Sequence, residues 1–312
     1  IFSARRSGRT CTRAFPGSET QRFRMEKSLP PGSARAGPSR GVGAGRYHAR
    51  MRCEIDGVAV HYVEHGAGVP LVALHGSGVD HREMQAAVEA IVPAAGYRRI
   101  YPDLPGMGRS TAGRLTCNDD VITVLAKFID RVADGPVLLL GHSYGAYLAR
   151  GLAARRPQSV LGLALLCPLA EGTGDVPEHH VAHQDPDAYD ELEPSLRSGF
   201  DAYFVVRTPE TARRYRDHVV PGTTLVDQVA LGRIFAGWAI DVGSATFTKP
   251  TLIAAGRRDS VVGHADAAQL LERYPRATLA VIDGAGHALP HERPDLLAAL
   301  LSDWLDRALQ DR

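Results

Sequence analysis

Three residues in this sequence have the types and spacing to do chemistry together. Ser143 stands in Gly141-His142-Ser143-Tyr144-Gly145, Asp259 closes Gly256-Arg257-Arg258-Asp259, and His287 closes Gly284-Ala285-Gly286-His287. A serine hydroxyl is a poor nucleophile until a base takes its proton. An imidazole, which titrates near neutrality, can take that proton and later hand it to a leaving group. A carboxylate on the far ring nitrogen fixes one tautomer and offsets the imidazolium charge. Ser143, His287 and Asp259 are thus the candidate nucleophile, base and orienting acid of an acyl transfer. Taken singly, each has a plainer reading: a glycine-bracketed turn, a structural histidine on a glycine loop, an aspartate capping a turn. The chain order Ser…Asp…His, each residue following a strand-like run, is what links them.

Such a reaction also needs donors for a developing oxyanion. His75-Gly76-Ser77-Gly78 ends an apolar run, and small residues there let backbone N–H groups face a cavity. The N–H groups of Ser77 and Tyr144 are the candidate oxyanion hole. Three other histidines compete for the role of base. His142 adjoins the serine but is expected to point away, His75 precedes the oxyanion loop, and His291 is expected to start a surface helix. None fits the required geometry as well as His287.

The elements that must position these residues alternate along the chain. Pro136 to Leu140 is an apolar run of strand length, and Ala146 onward suits a helix. A serine between the two sits on a sharp turn, where side chains at Gly141 and Gly145 would collide as strand and helix close. The N-terminus of that helix favours an anion nearby. Further strands are expected at 52–55 and 58–63, joined by the hairpin signal Asp56-Gly57, and at 70–74, 98–101, 160–167, 251–255 and 278–282. Helices are expected at 82–92, 118–132, 264–274 and 294–309. Asn118 is a candidate cap for the second of these, whose apolar residues fall at 121, 122, 125, 128, 129 and 132. Strands alternating with helices predict an α/β fold, a mostly parallel twisted sheet covered on both faces. Asp103-Leu104-Pro105-Gly106-Met107-Gly108-Arg109-Ser110 reads as a structural turn beside the pocket.

Residues 171–247 interrupt the alternation and read as a mainly helical cap over the site. Glu171 to Glu193 holds eight carboxylates, no Lys or Arg, and His179, His180 and His183. The plain reading is a solvated outer face. The alternative turns one or two carboxylates inward to hold an amine-bearing substrate. Phe200, Tyr203, Phe204, Phe235 and Trp238 are the apolar side chains expected to supply part of the pocket lining.

The net charge of +1 conceals an asymmetry. Residues 1–50 carry 11 Lys+Arg and 2 Asp+Glu, a net of +9, and the remainder carries 25 and 33, a net of −8. The first 50 residues are rich in Arg, Gly, Ser and Pro without apolar periodicity, which predicts a disordered extension. An organelle-targeting leader, a nucleic-acid arm and an over-extended gene start compete there. Met51, just before the first strand-like run, favours the last. Gly41-Val42-Gly43-Ala44-Gly45 has no strand before it, so it is not read as a dinucleotide loop. No run reaches the length of a membrane span. Cys11, Cys53, Cys117 and Cys167 lie far apart, which predicts free thiols in a reducing compartment such as the cytoplasm.

Residues 51–312 resemble the serine α/β-hydrolases with a helical cap after the sixth strand. The resemblance rests on His75-Gly76-Ser77-Gly78, Asp103-Leu104-Pro105-Gly106-Met107-Gly108, Gly141-His142-Ser143-Tyr144-Gly145, Gly256-Arg257-Arg258-Asp259 and Gly286-His287. It implies hydrolysis of an ester, lactone, thioester or amide without cofactor or metal. The serine nucleophile argues against the dehalogenase and epoxide-hydrolase branches. The resemblance implies a core at 51–170 and 248–312 and a cap at 171–247. A small-molecule acyl substrate is the expected partner, with no nucleic acid or membrane, on a monomer or homodimer. Alternatives on the same framework are an aminopeptidase like the proline iminopeptidases, a C–C bond hydrolase, and a receptor-like binder with little turnover, since a fold does not set the substrate.

Overall fold

The computed structural model describes residues 51–169 and 175–310. The basic extension at 1–50 and the first residue of the acidic run, Glu171, lie outside the described residues.

The chain begins with β1 (Met51–Ile55), β2 (Val58–His65), β3 (Val69–Leu74), α1 (His81–Ile91) and β4 (Tyr97–Pro102). It continues through α2 (Asn118–Val132), β5 (Val137–His142), α3 (Tyr144–Arg155) and β6 (Val160–Leu166). An inserted segment follows, with β7 (His183–Gln184), α4 (Pro194–Tyr203), β8 (Val206–Arg207), α5 (Pro209–Arg214), α6 (Val220–Thr223) and α7 (Gln228–Ala236). β9 (Thr251–Gly256), β10 (Ala277–Ile282), α8 (Leu289–Glu292) and α9 (Pro294–Gln310) complete it. Eight strands form one sheet in the order β1-β2-β4-β3-β5-β6-β9-β10. β2 is antiparallel to both neighbours, and all later pairs are parallel. The hairpin joining β1 and β2 turns at Asp56 and Gly57, with φ of 49° and 81°, as a primed turn requires.

Strand alternation explains why the central runs are apolar throughout. On β5, Val137 and Leu139 face one layer with Val121, Leu125 and Phe128 of α2 and Leu148 of α3. Leu138 and Leu140 face the opposite layer with Met84 and Val88 of α1 and Leu301 and Trp304 of α9. Both faces are buried, so no position on β5 can be polar without cost.

The inserted segment packs through Phe200, Phe204, Ala212, Tyr215 and Val219 against Val79 and Ala288, two residues on loops beyond the sheet's carboxyl edge. Phe200 and Phe204 therefore build this core. Phe235 instead meets Tyr144 edge-to-face and Trp238 stacks on it, with ring centroids at 5.2 and 6.0 Å.

Three local expectations are corrected. Asn118 does not cap α2. The cap position is Cys117, and the buried Asn118 side chain instead bonds Trp238 O and the Tyr144 hydroxyl at 2.6 and 2.7 Å. The helix expected at 264–274 is a 3-10 helix over Ala265–Glu272, closed by bonds of the type Ala267 N–H to His264 O. His291 is not on the surface. It is 1% exposed in α8, where the Phe204 ring from the insertion lies 6.2 Å away. Cys53, Cys117 and Cys167 are free thiols. Among the described residues no helix is long and apolar enough to cross a membrane.

Candidate active site

β5 ends at His142 and α3 starts at Tyr144, leaving Ser143 at φ 53° and ψ −118°. That strained backbone is held from both sides. Ser143 N–H donates to Leu166 O at 2.9 Å, and Ser143 O accepts from Tyr147 N–H at 3.0 Å. The turn closes so tightly that a Cβ on Gly141 would strike Gly145 O, and one on Gly145 would strike Leu74 O. Glycine is required at both positions for close approach.

β9 delivers Asp259 and β10 delivers His287 to the same edge of the sheet. His287 Nε2 is 2.9 Å from Ser143 Oγ, and His287 Nδ1 is 2.8 Å from Asp259 Oδ2. The second Asp259 oxygen accepts from the N–H groups of Val261 and Val262 at 2.9 and 3.0 Å. Burial alone would raise the Asp259 carboxyl. The His287 charge and hydrogen bond, with the two N–H groups, outweigh burial and hold it below the ordinary carboxylate range. An acceptor-only carboxylate at Nδ1 assigns the ring proton there and leaves Nε2 to accept from the serine hydroxyl. Ser143 and His287 are 8% and 6% exposed, so the chemistry would run in a largely dry site.

Of the proposed oxyanion donors, Tyr144 is the first residue of α3, so its N–H has no intrahelical acceptor. Ser77 follows Gly76, and a Cβ at Gly76 would lie 3.5 Å from Ser143 Cβ. The loop after β3 thus packs directly on the elbow. His75 is committed elsewhere: Nε2 accepts from Leu104 N–H at 2.9 Å and Nδ1 faces Gly76 O at 2.7 Å. Burial pushes its pKa down, consistent with a neutral ring. His142 turns away from the serine, with Nε2 at 2.9 Å from His287 O. Burial pushes the His291 ring down to about 4.

Glu83 and Glu292 are buried carboxylates beside the candidate site that the sequence motifs do not include. Glu83 on α1 accepts from Gly76 N–H at 3.0 Å and from the Tyr203 hydroxyl at 2.8 Å. Glu292 on α8 accepts from Gly286, Val205 and Val206 N–H groups. Glu83 had a legible signal, because it shares a helix face with the buried Met84, Ala87 and Val88. Asp103 behaves as the structural turn expected of it, bonding His61 Nδ1 and His81 Nδ1 at 2.8 and 2.7 Å.

Among the described residues, two groups have ligand atoms close enough to consider for a metal: His61, His81 and Asp103, and His142, Cys167 and His287. In the first, the short contacts are hydrogen bonds that occupy the ring nitrogens facing the carboxylate. The second shares the candidate base, whose Nδ1 and Nε2 already face Asp259 and Ser143. The described carboxylates of the acidic stretch lie outside: the Glu178 side chain is 91% exposed, and Glu191 pairs with Arg213 and Arg216 at 3.3 and 2.9 Å.

A family model described as "Alpha/beta hydrolase family" matches residues 71–300. Lipase LipV of Mycobacterium tuberculosis is 29% identical over 219 residues, 65% of this chain and 82% of that protein. The 2-hydroxymuconate semialdehyde hydrolase of Pseudomonas sp. (strain CF600) is 26% identical over 283 residues, 81% of this chain and 92% of that protein. The crystal structure of an alpha/beta superfamily hydrolase from Oenococcus oeni PSU-1 superposes with a TM-score of 0.73 at 23% identity, covering 80% of this chain and 96% of that one.

Proposed function

The chain belongs to the alpha/beta hydrolase family, and on that premise we propose that it is a serine hydrolase. In this reading it cleaves a small or medium neutral ester or lactone through an acyl-serine intermediate. The observation that carries the reading is the unbroken chain of contacts from Ser143 Oγ through His287 to Asp259.

His287 Nε2 takes the Ser143 proton as Oγ attacks the substrate carbonyl. Asp259 holds Nδ1–H and offsets the imidazolium that forms. The developing oxyanion is received by the N–H groups of Ser77 and Tyr144, with the positive end of α3 behind them. The imidazolium protonates the leaving alkoxide. The same ring then deprotonates a water that attacks the acyl-serine, releasing the acid and restoring Ser143. Residues 51–170 and 248–312 serve as the core that holds these groups, and residues 171–247 as a cap that excludes water.

A series of activated aryl esters of increasing acyl length, followed by intact-mass measurement, tests the reading. The expected result is a transient mass increment equal to the acyl group on the native chain and none on Ser143→Ala. Turnover that survives in Ser143→Ala would overturn it.

A further inference from the structure

Glu83 is 1% exposed, yet it is not a surface charge folded in by accident of packing. A buried carboxylate survives only when donors satisfy it. Its partners come from three separate parts of the chain: two donors, Gly76 N–H from the loop after β3 and Tyr203 O–H from α4 of the insertion, and the His142 ring from the elbow, whose Nδ1 lies 3.2 Å from Glu83 Oε1. The last is an ion-pair contact set off the hydrogen-bond line.

We propose that Glu83 is a positioning residue for the acyl transfer, holding the oxyanion loop, the elbow and the insertion in one register and keeping His142 as an imidazolium beside His287. The proposal rests on the serine-hydrolase reading above. His142 Nε2 faces the carbonyl of His287 at 2.9 Å, and a carbonyl can only accept, so that nitrogen carries a proton. His142 Nδ1 faces a carboxylate, which also only accepts. A neutral ring would set one lone pair against another, whereas a doubly protonated ring suits both neighbours. Burial lowers the His142 pKa, but the Glu83 charge outweighs it and the net direction is upward.

The His142 and His287 rings lie 5.0 Å apart. A fixed positive charge there repels a second one on the His287 ring across that short distance. It also favours negative charge developing at the elbow. The other groups around His142 are Asp259, the neutral His291 and the Cys167 thiol, which burial pushes up and so keeps neutral; Tyr203 meets His287 edge-on, with ring centroids 6.0 Å apart. Glu83 lies on the Nδ1 side of His142, so removing the pair takes the nearer, positive end away from His287.

Glu83→Gln keeps size and an acceptor but removes the charge. With an aryl ester, kcat is expected to fall by about tenfold to a hundredfold with KM within about threefold. The acid limb of kcat/KM should move to higher pH by about half a unit or more. A purely structural Glu83 would lower thermal stability and leave that limb in place, which would overturn the proposal. Nitrogen-15 NMR of histidine-labelled protein provides a readout that needs no turnover and no variant. Both His142 ring nitrogens should be protonated in the native chain at pH 7.5, and a neutral ring there overturns the proposal even if Glu83→Gln fails to fold. Residual turnover in Ser143→Ala would instead sink the hydrolase reading and leave the His142 result standing on its own.

Discussion

Glu292 Oε2 accepts the Gly286 N–H at 2.6 Å, one residue before His287. Its other oxygen takes the N–H groups of Val205 and Val206 at 2.7 and 3.1 Å. One buried carboxylate thus ties the loop carrying the candidate base to the insertion. Glu83 ties the loop after β3 to the same insertion through Tyr203. The two acids sit on different helices, and each joins one side of the candidate site to the inserted segment.

The Glu292 anchor makes a prediction about pH and stability. Burial pushes its carboxyl from 4.5 up to about 7, even though three N–H groups favour the charged form. A group whose folded pKa is raised contributes stability in its protonated form. That contribution is complete below about 4.5 and is lost as pH rises through about 7. The full swing is about 3 kcal/mol. Melting temperatures measured from pH 4.5 to 8 should therefore decline for the native chain relative to Glu292→Gln, which cannot ionise. Parallel curves would show that Glu292 does not titrate in that window.

The contact chain from Ser143 to Asp259 predicts non-additive losses. Ser143→Ala, His287→Ala and Asp259→Asn should each lower kcat by about 10³–10⁶, and the triple change should cost little more than the worst single one. Ser143→Ala should keep the native melting temperature within a degree or two, because it removes little packing. Full activity in His287→Ala would show that another residue serves as base.

Asn118 carries a prediction that the sequence reading would have made differently. As a helix cap its loss would fray only the start of α2. Instead it is fully buried and joins Tyr144, next to Ser143, to Trp238 of the insertion. Asn118→Ala would strand the Tyr144 hydroxyl and leave the Trp238 carbonyl with the longer 3.3 Å bond from the Tyr147 hydroxyl, costing about 1–3 kcal/mol. Asn118→Asp keeps the acceptor for Tyr144 but loses the donor to Trp238, and should recover only part of the loss. Chemical denaturation of the three proteins checks this.

These cases mark what could be read from the chain. The sheet was legible because β3, β5, β6 and β9 bury both faces, which forces continuous apolar runs with recognisable ends. The grouping of Ser143, Asp259 and His287 was legible because each follows an apolar run, β5, β9 and the partly buried edge strand β10 in turn. The burial of Glu83 could be read from its helix face, but the roles of Glu83, Glu292 and Asn118 could not, because they depend on partners up to 120 residues away. No local pattern encodes a carboxylate shared by two loops. His291 misled for the same reason. Its neighbours Pro290, Glu292 and Arg293 look like surface residues, yet the insertion covers it.

The choice of a neutral acyl substrate over an aminoacyl one gives the last prediction. An amine-binding cap would need carboxylates facing Ser143. The acidic stretch is spent otherwise: Glu178 is solvated, Asp185 contacts His183 at 2.8 Å on the surface, and Glu191 is held by two arginines. The buried acids near the site, Glu83 and Glu292, have donors already on both oxygens. An ammonium group would gain about 1 kcal/mol or less from exposed charges, and salt would erase it. An aryl butyrate should therefore be cleaved faster than a proline arylamide. Asp185→Asn, Asp187→Asn and Asp190→Asn should leave both rates within about twofold. Faster cleavage of the arylamide, weakened by added salt and by those substitutions, would reverse the assignment and make the acidic stretch part of the site.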